Sequence, residues 1–434
     1  MKKLVLLCIF FPLLAFGQYQ NYVAIGDSLT AAFSSYSLVE SVQKNSYPAL
    51  IARQIGMSDF EQPLVSEPGI PPRLGLVSLS PLTIAPISDT PGVPTNLQLP
   101  RPYNNLGVVG ATLNDCLNTT SDSQQRHDLV LRGMGTQVQQ AILLQPDLLT
   151  VWIGANDALT AILYGTAIEG VTLTSKSFFQ EEYSELLDTL GSGSNADMVV
   201  VNIPSVTTIP FVTTIPPFII DPATGQPVIG PDGQPMTYLG QSDTGTHNID
   251  PHAYVTLNAE PYLQLGYGIP AALGGLGMGL PDSVILTPNE TAKIEDYVAS
   301  YNATISDLAQ SHHIPVFDAN ALLEDIAANG LTFAGMHFSG AFLTGGIFSY
   351  DGIHPTSFGY AVIANAFITV INEAYGHHIK PVGLAPFLAQ TTPDLGSASC
   401  CGNLTLKGWD WGQSWLCSGR RDLWRIQSSA APRR

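Results

Sequence analysis

From residue 18 to residue 395 short apolar runs alternate with longer stretches of helical periodicity. The pattern predicts strands over 22–25, 148–153, 198–202 and 315–317, with a shorter one near 105–109. Helices are predicted over 47–55, 137–144, 178–190, 288–310 and 357–375. In the last of these Phe358, Val362, Ala366 and Val370 recur at i, i+4 spacing, with Ile363 beside them on the same face. Short apolar strands between amphipathic helices predict an α/β fold whose parallel sheet is covered on both faces.

Two stretches interrupt this rhythm. Residues 57–102 hold ten prolines and little helical periodicity, and residues 205–285 are rich in Pro, Gly and Thr. Within the second, "DPATGQPVIGPDGQPM" (221–236) has Thr-Gly and Asp-Gly turns that predict a hairpin or two. Insertions of this length in a compact domain are lids or ordered excursions, and both are poor enough in Lys and Glu to pack against it.

Composition changes the picture at the two ends. Only 12% of the 434 residues are charged, well under the roughly 25% of an average soluble domain. Met1-Lys2-Lys3, an apolar run over 4–16 and the small residues near Gly17 predict a signal peptide over 1–17 with Gln18 as the new N-terminus. The run is shorter than the ~20 residues of a membrane span, and Cys8 lacks the small neighbours of a lipid-anchoring signal. We expect export of a bacterial kind, to the periplasm, the outer membrane or the medium, without a stable membrane anchor. Residues 18–397 carry 9 Lys+Arg against 33 Asp+Glu, a net charge of −24. Such a surface excludes nucleic-acid binding and repels anionic membranes.

The folded domain is expected to span residues 18–396. Residues 398–434 hold four of the five tryptophans and three of the five cysteines, at a net charge of +4. We expect 397–434 to be an unstructured or artefactual tail. No Cys-x-x-Cys pair and no Cys/His cluster at metal-ligand spacing occurs, so no metal is expected. A disulfide among Cys400, Cys401 and Cys417 is conceivable, with its pairing open. The sequons at Asn118, Asn289, Asn302 and Asn403 would matter only in a eukaryotic secretory route.

The stretch "YVAIGDSLTAAF" (22–33) places Ser28 where a strand ends and a helix begins. A serine there either caps the helix or presents a hydroxyl for attack above the sheet. Attack requires a base and a group that orients the base. "SYDGIHPTSFGY" (349–360) supplies Asp351 and His354 three residues apart, with Gly352 allowing a tight turn and a helix starting near Thr356. Taken alone, Asp-x-x-His would be a turn with a surface histidine. Two further loops shift the balance. "NNLGVVGAT" (104–112) places an uncrowded backbone N–H at Gly110 after a short apolar run, and "LLTVWIGANDALT" (148–160) brings Asn156 to the end of an apolar strand; taken singly, Gly110 would be a turn and Asn156 a helix cap. All four junctions converge on the crevice where open α/β sheets bind ligands. His312, His313, His377 and His378 read as exposed element ends, and His337 as a packed loop histidine.

"GDSL" (26–29), the Gly110 loop, "GAND" (154–157) and "DGIHP" (351–355) together resemble the four blocks of the SGNH, or GDSL, hydrolase superfamily, in its order and over roughly residues 20–376. The resemblance implies a three-layer α/β/α sandwich with a flavodoxin-like sheet and neither metal nor cofactor. It implies Ser28 as nucleophile, His354 as base and Asp351 as the residue that orients it. The oxyanion hole would be the N–H groups of Ser28 and Gly110 and the Asn156 amide. We expect Ser28 to cap its helix as well. A G-x-S-x-G elbow is absent, position 30 being Thr where that motif needs Gly. Activity is expected to fall as acid protonates the His354 imidazole.

The apolar segments "FVTTIPPFII" (211–220) and "LGGLGMGL" (273–280) tilt the expected substrate toward lipid or other acyl esters. A carbohydrate O-acetylesterase and an acyltransferase are the enzyme alternatives, and an exported binding protein without catalysis is a remote one. The oligomeric state stays open.

Overall fold

The computed structural model describes residues 19–79, 82–243 and 245–390. The leader, the three late cysteines, Asn403 and the tail lie outside the described residues.

Five strands form one parallel sheet: β1 (Tyr22–Gly26), β2 (Asn105–Gly107), β3 (Leu148–Trp152), β4 (Asp197–Val201) and β5 (Val316–Phe317). Their spatial order is β2-β1-β3-β4-β5, the flavodoxin-like arrangement. Every residue of β1 and β3 is buried, as parallel strands covered on both faces must be. β2 stops at Gly107, earlier than the apolar run through Val109 predicted. The Val108 N–H still bonds the Gly26 carbonyl at 3.0 Å, and Gly110 then turns the chain away at φ +80°.

The flanking helices are α1 (Ser28–Ala31), α2 (Tyr47–Ile55), α3 (Gln137–Leu143), α4 (Asn156–Tyr164), α5 (Lys176–Gly193), α6 (Pro288–Ser311), α7 (Ala319–Asn329) and α8 (Ser357–Tyr375). Their ends are written in local chemistry. Ser46, Thr287 and Thr356 cap α2, α6 and α8 with side-chain oxygens, and Gly56 and Gly376 close α2 and α8 in the left-handed region. On one side α2 and α8 pack together, the Tyr47 ring stacked 4.5 Å from Phe367 and both rings against Trp152. In the other layer α5 meets α6 through Phe179 stacked 4.1 Å from Tyr301. Each such side chain, when fully buried, contributes on the order of 1.5–3 kcal/mol. The result is an α/β/α sandwich.

The insertions depart from this plan. Residues 57–102 are mostly irregular, with one antiparallel hairpin of Leu74–Leu79 and Leu82–Pro86. Residues 205–285 build a small core of their own around Ile219, Tyr238, Val255, Leu280 and Ile285. Their Thr-Gly and Asp-Gly turns lie between the bridges of Ile220 to Pro227 and of Ile229 to Pro235.

Candidate active site

The switch point of a flavodoxin-like sheet lies where the connection reverses beside β1. The chain leaves β1 through Asp27 and Ser28 and leaves β3 through Gly154, Ala155 and Asn156. Gly26 and Gly107 make the crowding at this edge possible. A Cβ on Gly26 would stand 2.4 Å from the Trp152 carbonyl oxygen, and one on Gly107 would stand 2.4 Å from the Ala31 nitrogen. α1 can therefore lie across the strand ends.

Ser28 is not the N-cap that its place in the sequence predicts. Asp27 is: its Oδ1 accepts the Leu29 N–H at 2.9 Å. Ser28 opens the first helical turn, and its hydroxyl is committed elsewhere. Its Oγ lies 2.9 Å from His354 Nε2, and His354 Nδ1 lies 3.0 Å from Asp351 Oδ2. All three side chains are almost wholly enclosed, Ser28 at 5% exposure and His354 at 7%.

The loop that carries Asp351 and His354 is held from several directions. Ser349 N–H bonds the His354 carbonyl at 2.8 Å, closing a tight turn in which Gly352 takes φ +71°. The Ser349 hydroxyl accepts the Ser35 N–H at 2.7 Å, and the Ser34 hydroxyl donates to the Pro355 carbonyl at 3.0 Å. The Phe33 ring meets the His354 ring edge-on, with centroids 5.0 Å apart. Asp351 Oδ1 accepts the N–H groups of Ile353 and His354 at 2.9 and 2.8 Å, and Oδ2 accepts the Tyr36 N–H at 2.9 Å. Burial pushes the Asp351 carboxyl up, but the adjacent His354 ring and these donors more than reverse it. Asp351 is held below the usual carboxylate range and stays ionised.

The other predicted site residues gather at the same edge. The N–H groups of Ser28 and Gly110 donate to no protein acceptor among the described residues. Asn156 is 9% exposed, and its Nδ2 donates to the Ala111 carbonyl at 2.9 Å and lies 3.3 Å from Asp27 Oδ2. Its amide is thus engaged rather than free, by one good hydrogen bond and one long one. Asp27 is fully buried, and burial pushes its carboxyl up to about 6 against the Leu29 N–H and the His354 ring, which lower it. Nothing in the periodicity marked Asp27 as more than a turn residue, although it sits inside "GDSL". His337 is neither packed nor on a loop: it is exposed, in the second strand of a short hairpin of Leu331–Phe333 and Met336–Phe338, and is not among the residues that line the pocket beside Ser28.

A narrow pocket of about 70 Å³ opens beside Ser28, Asn156 and His354. Its wall is largely aliphatic, including Leu29, Leu159, Ile203, Val206, Ile209 and Leu323. Among the described residues no cluster of three His, Cys, Asp or Glu side chains could hold a metal ion. Among them, too, no helix is long and apolar enough to cross a membrane. Cys116 is buried and free, and burial pushes its thiol up.

A flavodoxin-like sheet with this hydrogen-bonded serine, histidine and aspartate at its carboxyl edge has the frame of a hydrolase. The model of the GDSL-like lipase/acylhydrolase family matches residues 22–367, and the chain belongs to that family. Among solved structures it is similar to a lipase/acylhydrolase from Enterococcus faecalis (12% identity, TM-score 0.34, covering 84% of this chain and 99% of that one). It is also similar to an acetylxylan esterase from Geobacillus stearothermophilus, solved as a catalytic mutant (11% identity, TM-score 0.36, 84% and 97% covered). A third is a putative lipolytic protein of the G-D-S-L family from Desulfitobacterium hafniense (11% identity, TM-score 0.33, 81% and 99% covered). No curated protein sequence matches the chain.

Proposed function

We propose that the protein is an exported serine esterase that hydrolyses carboxylic acyl esters through an acyl-enzyme. The observation that carries this is the chain of contacts Ser28 Oγ–His354 Nε2–Asp351 Oδ2 at 2.9 and 3.0 Å. Geometry of this kind is what a hydroxyl needs to become a nucleophile. His354 takes the Ser28 proton as Oγ bonds to the ester carbonyl carbon, and the carbonyl electrons move onto oxygen. The C–O bond to the alcohol then breaks, and His354 returns the proton to the leaving alkoxide. Water, deprotonated by His354, attacks the acyl carbon; the C–Oγ bond to Ser28 breaks, His354 returns the proton to Oγ, and the acid is released. Asp351 keeps the imidazole oriented and balances its positive charge.

The free N–H groups of Ser28 and Gly110 are the donors for the oxyanion. The Asn156 amide joins them by giving up its long contact with Asp27, the weaker of its two. The aliphatic wall beside Ser28 supports an apolar acyl group in the pocket. The basic, apolar and small-residue order of positions 1–17 supports export.

The test is hydrolysis of a chromogenic ester series, acetate through long-chain, by the full chain and by Ser28→Ala. Turnover that disappears in the variant supports the serine mechanism, and the chain-length profile measures the pocket. A folded wild type without turnover on any member sinks the reading. A serine-reactive phosphonate labelling wild type and Ser28→Ala equally would also sink it.

A further inference from the structure

The acidity of this protein is not spread evenly over it. Residues 74–88, 203–220 and 261–281 contain no Asp, Glu, Lys, Arg or His, in a chain whose residues 18–397 carry a net charge of −24. The structure ties the first two of these segments to the candidate active site and the third to the first. Leu74 N–H bonds the Ser35 carbonyl at 2.8 Å, next to the Ser35 N–H held by Ser349. Phe211 N–H bonds the Gly352 carbonyl at 2.9 Å, between Asp351 and His354 in sequence. Gln264 Nε2 donates to the Leu82 carbonyl at 3.1 Å and so joins the third segment to the first.

Large apolar side chains stand out from this belt. Val77, Ile87, Leu265, Leu276 and Met278 are 48% to 67% exposed. The last three share one folded-back loop, in which Leu276 N–H bonds the Gly266 carbonyl at 2.9 Å and Gly268 N–H bonds the Met278 carbonyl at 2.7 Å. Single exposed apolar residues are ordinary on any protein. A group of them on segments joined to the active-site loops, with few charges among them, marks a contact surface.

We propose that this collar seats the protein on the surface of an aggregated, uncharged ester, a neutral acylglycerol droplet, so that the cleft meets its substrate at the interface. The choice of an acyl ester rests on the function proposed above. Charge selects the occupant. The three segments carry no charge of their own and have the Glu260 carboxylate, bonded to Gln264, only at their margin, so the belt has little to pair with an anionic or cationic partner, and the acidic remainder of the chain repels anionic surfaces. A second copy on the collar would bring two strongly acidic bodies together. An uncharged apolar surface carries neither penalty, and burying the collar against it gains the hydrophobic term directly.

The test is partition of full-length Ser28→Ala protein onto triolein droplets, measured by flotation, so that the droplets are not consumed. The comparison protein adds Leu265→Asp, Leu276→Asp and Met278→Asp, all exposed and outside the catalytic cluster. The expected result is at least a roughly tenfold fall in partition for the Asp-bearing protein. Partition of the parent should not weaken in about 0.5 M salt. Equal partition of the two proteins, or loss of parent binding in salt, overturns the proposal. So does size exclusion showing a dimer that the three Asp substitutions turn into a monomer, which would give the collar to a second copy. A parallel pair with Ser28 intact is assayed on a soluble short-chain ester and should show equal turnover. Flotation without turnover by either would keep the docking surface and sink the esterase reading instead.

Discussion

Asp351→Asn separates an orienting carboxylate from a merely structural one. The carboxylate accepts four hydrogen bonds: from His354 Nδ1 at 3.0 Å, Tyr36 N–H at 2.9 Å, Ile353 N–H at 2.9 Å and His354 N–H at 2.8 Å. An asparagine has one acceptor oxygen. Facing that oxygen to the Ile353 and His354 N–H groups keeps the tight turn and sets the new NH₂ against Tyr36 N–H and His354 Nδ1–H. The imidazole escapes the donor–donor clash by carrying its proton on Nε2, the atom that faces Ser28 Oγ. In that tautomer it cannot accept the serine proton. The expected loss in kcat/KM is about 10⁴-fold, equivalent to roughly 5.5 kcal/mol of transition-state stabilisation. The fold should survive, because Tyr36 is 59% exposed and its N–H can bond water. A stability loss of about 1–3 kcal/mol for the disturbed contacts is expected. The assay is hydrolysis of a soluble chromogenic ester, with a thermal melt of the same sample. A folded variant that keeps kcat/KM within tenfold of wild type would refute the role given to Asp351.

Asn156→Ala should lower kcat by about 100- to 1000-fold on the same ester, and unchanged kcat would remove Asn156 from the oxyanion hole. Asp157 should make stability depend on pH. Burial pushes its carboxyl up to about 7, against hydrogen bonds from Thr174 and Leu113 that lower it, while Glu182 and Asp115 raise it further. Between the ordinary carboxylate value of about 4 and 7 the folded chain holds a proton that the unfolded chain has released. This stabilisation is complete below that window and is lost as pH rises through it. Melting curves of wild type should therefore decline relative to Asp157→Asn across the window, and parallel curves would contradict this. Gly107→Ala, whose Cβ would stand 2.4 Å from the Ala31 nitrogen, should cost about 1–3 kcal/mol of stability and reduce activity with it. Wild-type melting and turnover would show that α1 can yield.

The sheet was legible because its information is local. Runs such as "YVAI" before Ser28 and "LLTVW" before Asn156 announce strands buried on both faces, and Ser46, Thr287 and Thr356 announce helix starts. Asp351 and His354 were readable as a pair because three residues and one glycine place them in one turn. What could not be read depends on distant partners. Asp27 looks like a turn residue until the Asn156 amide, 129 positions away, is seen 3.3 Å from its carboxylate. Ser28 looked like a cap because a cap and a strand-end nucleophile share the same local sequence. Only the contact with His354 separates them. The core of 205–285 was hidden for a related reason. Ile219, Tyr238 and Leu280 are scattered among Pro, Gly and Thr, and no period links them.

Ser28 and His354 stand 326 positions apart, and that separation sets an order of events. During synthesis Ser28, the proposed nucleophile, leaves the ribosome early, and His354, the proposed base, arrives with all five strands of the sheet already made. α8 follows His354 directly. Its Phe367 stacks on Tyr47, and its Tyr360 hydroxyl donates to the Phe33 carbonyl at 2.7 Å. The segment that delivers the base is thus the one that completes a helical layer over the sheet. Arming and final closure become a single step under the mechanism proposed. Under that mechanism, chains that stop before His354 carry a serine that nothing activates, so ester turnover would count only chains folded through α8.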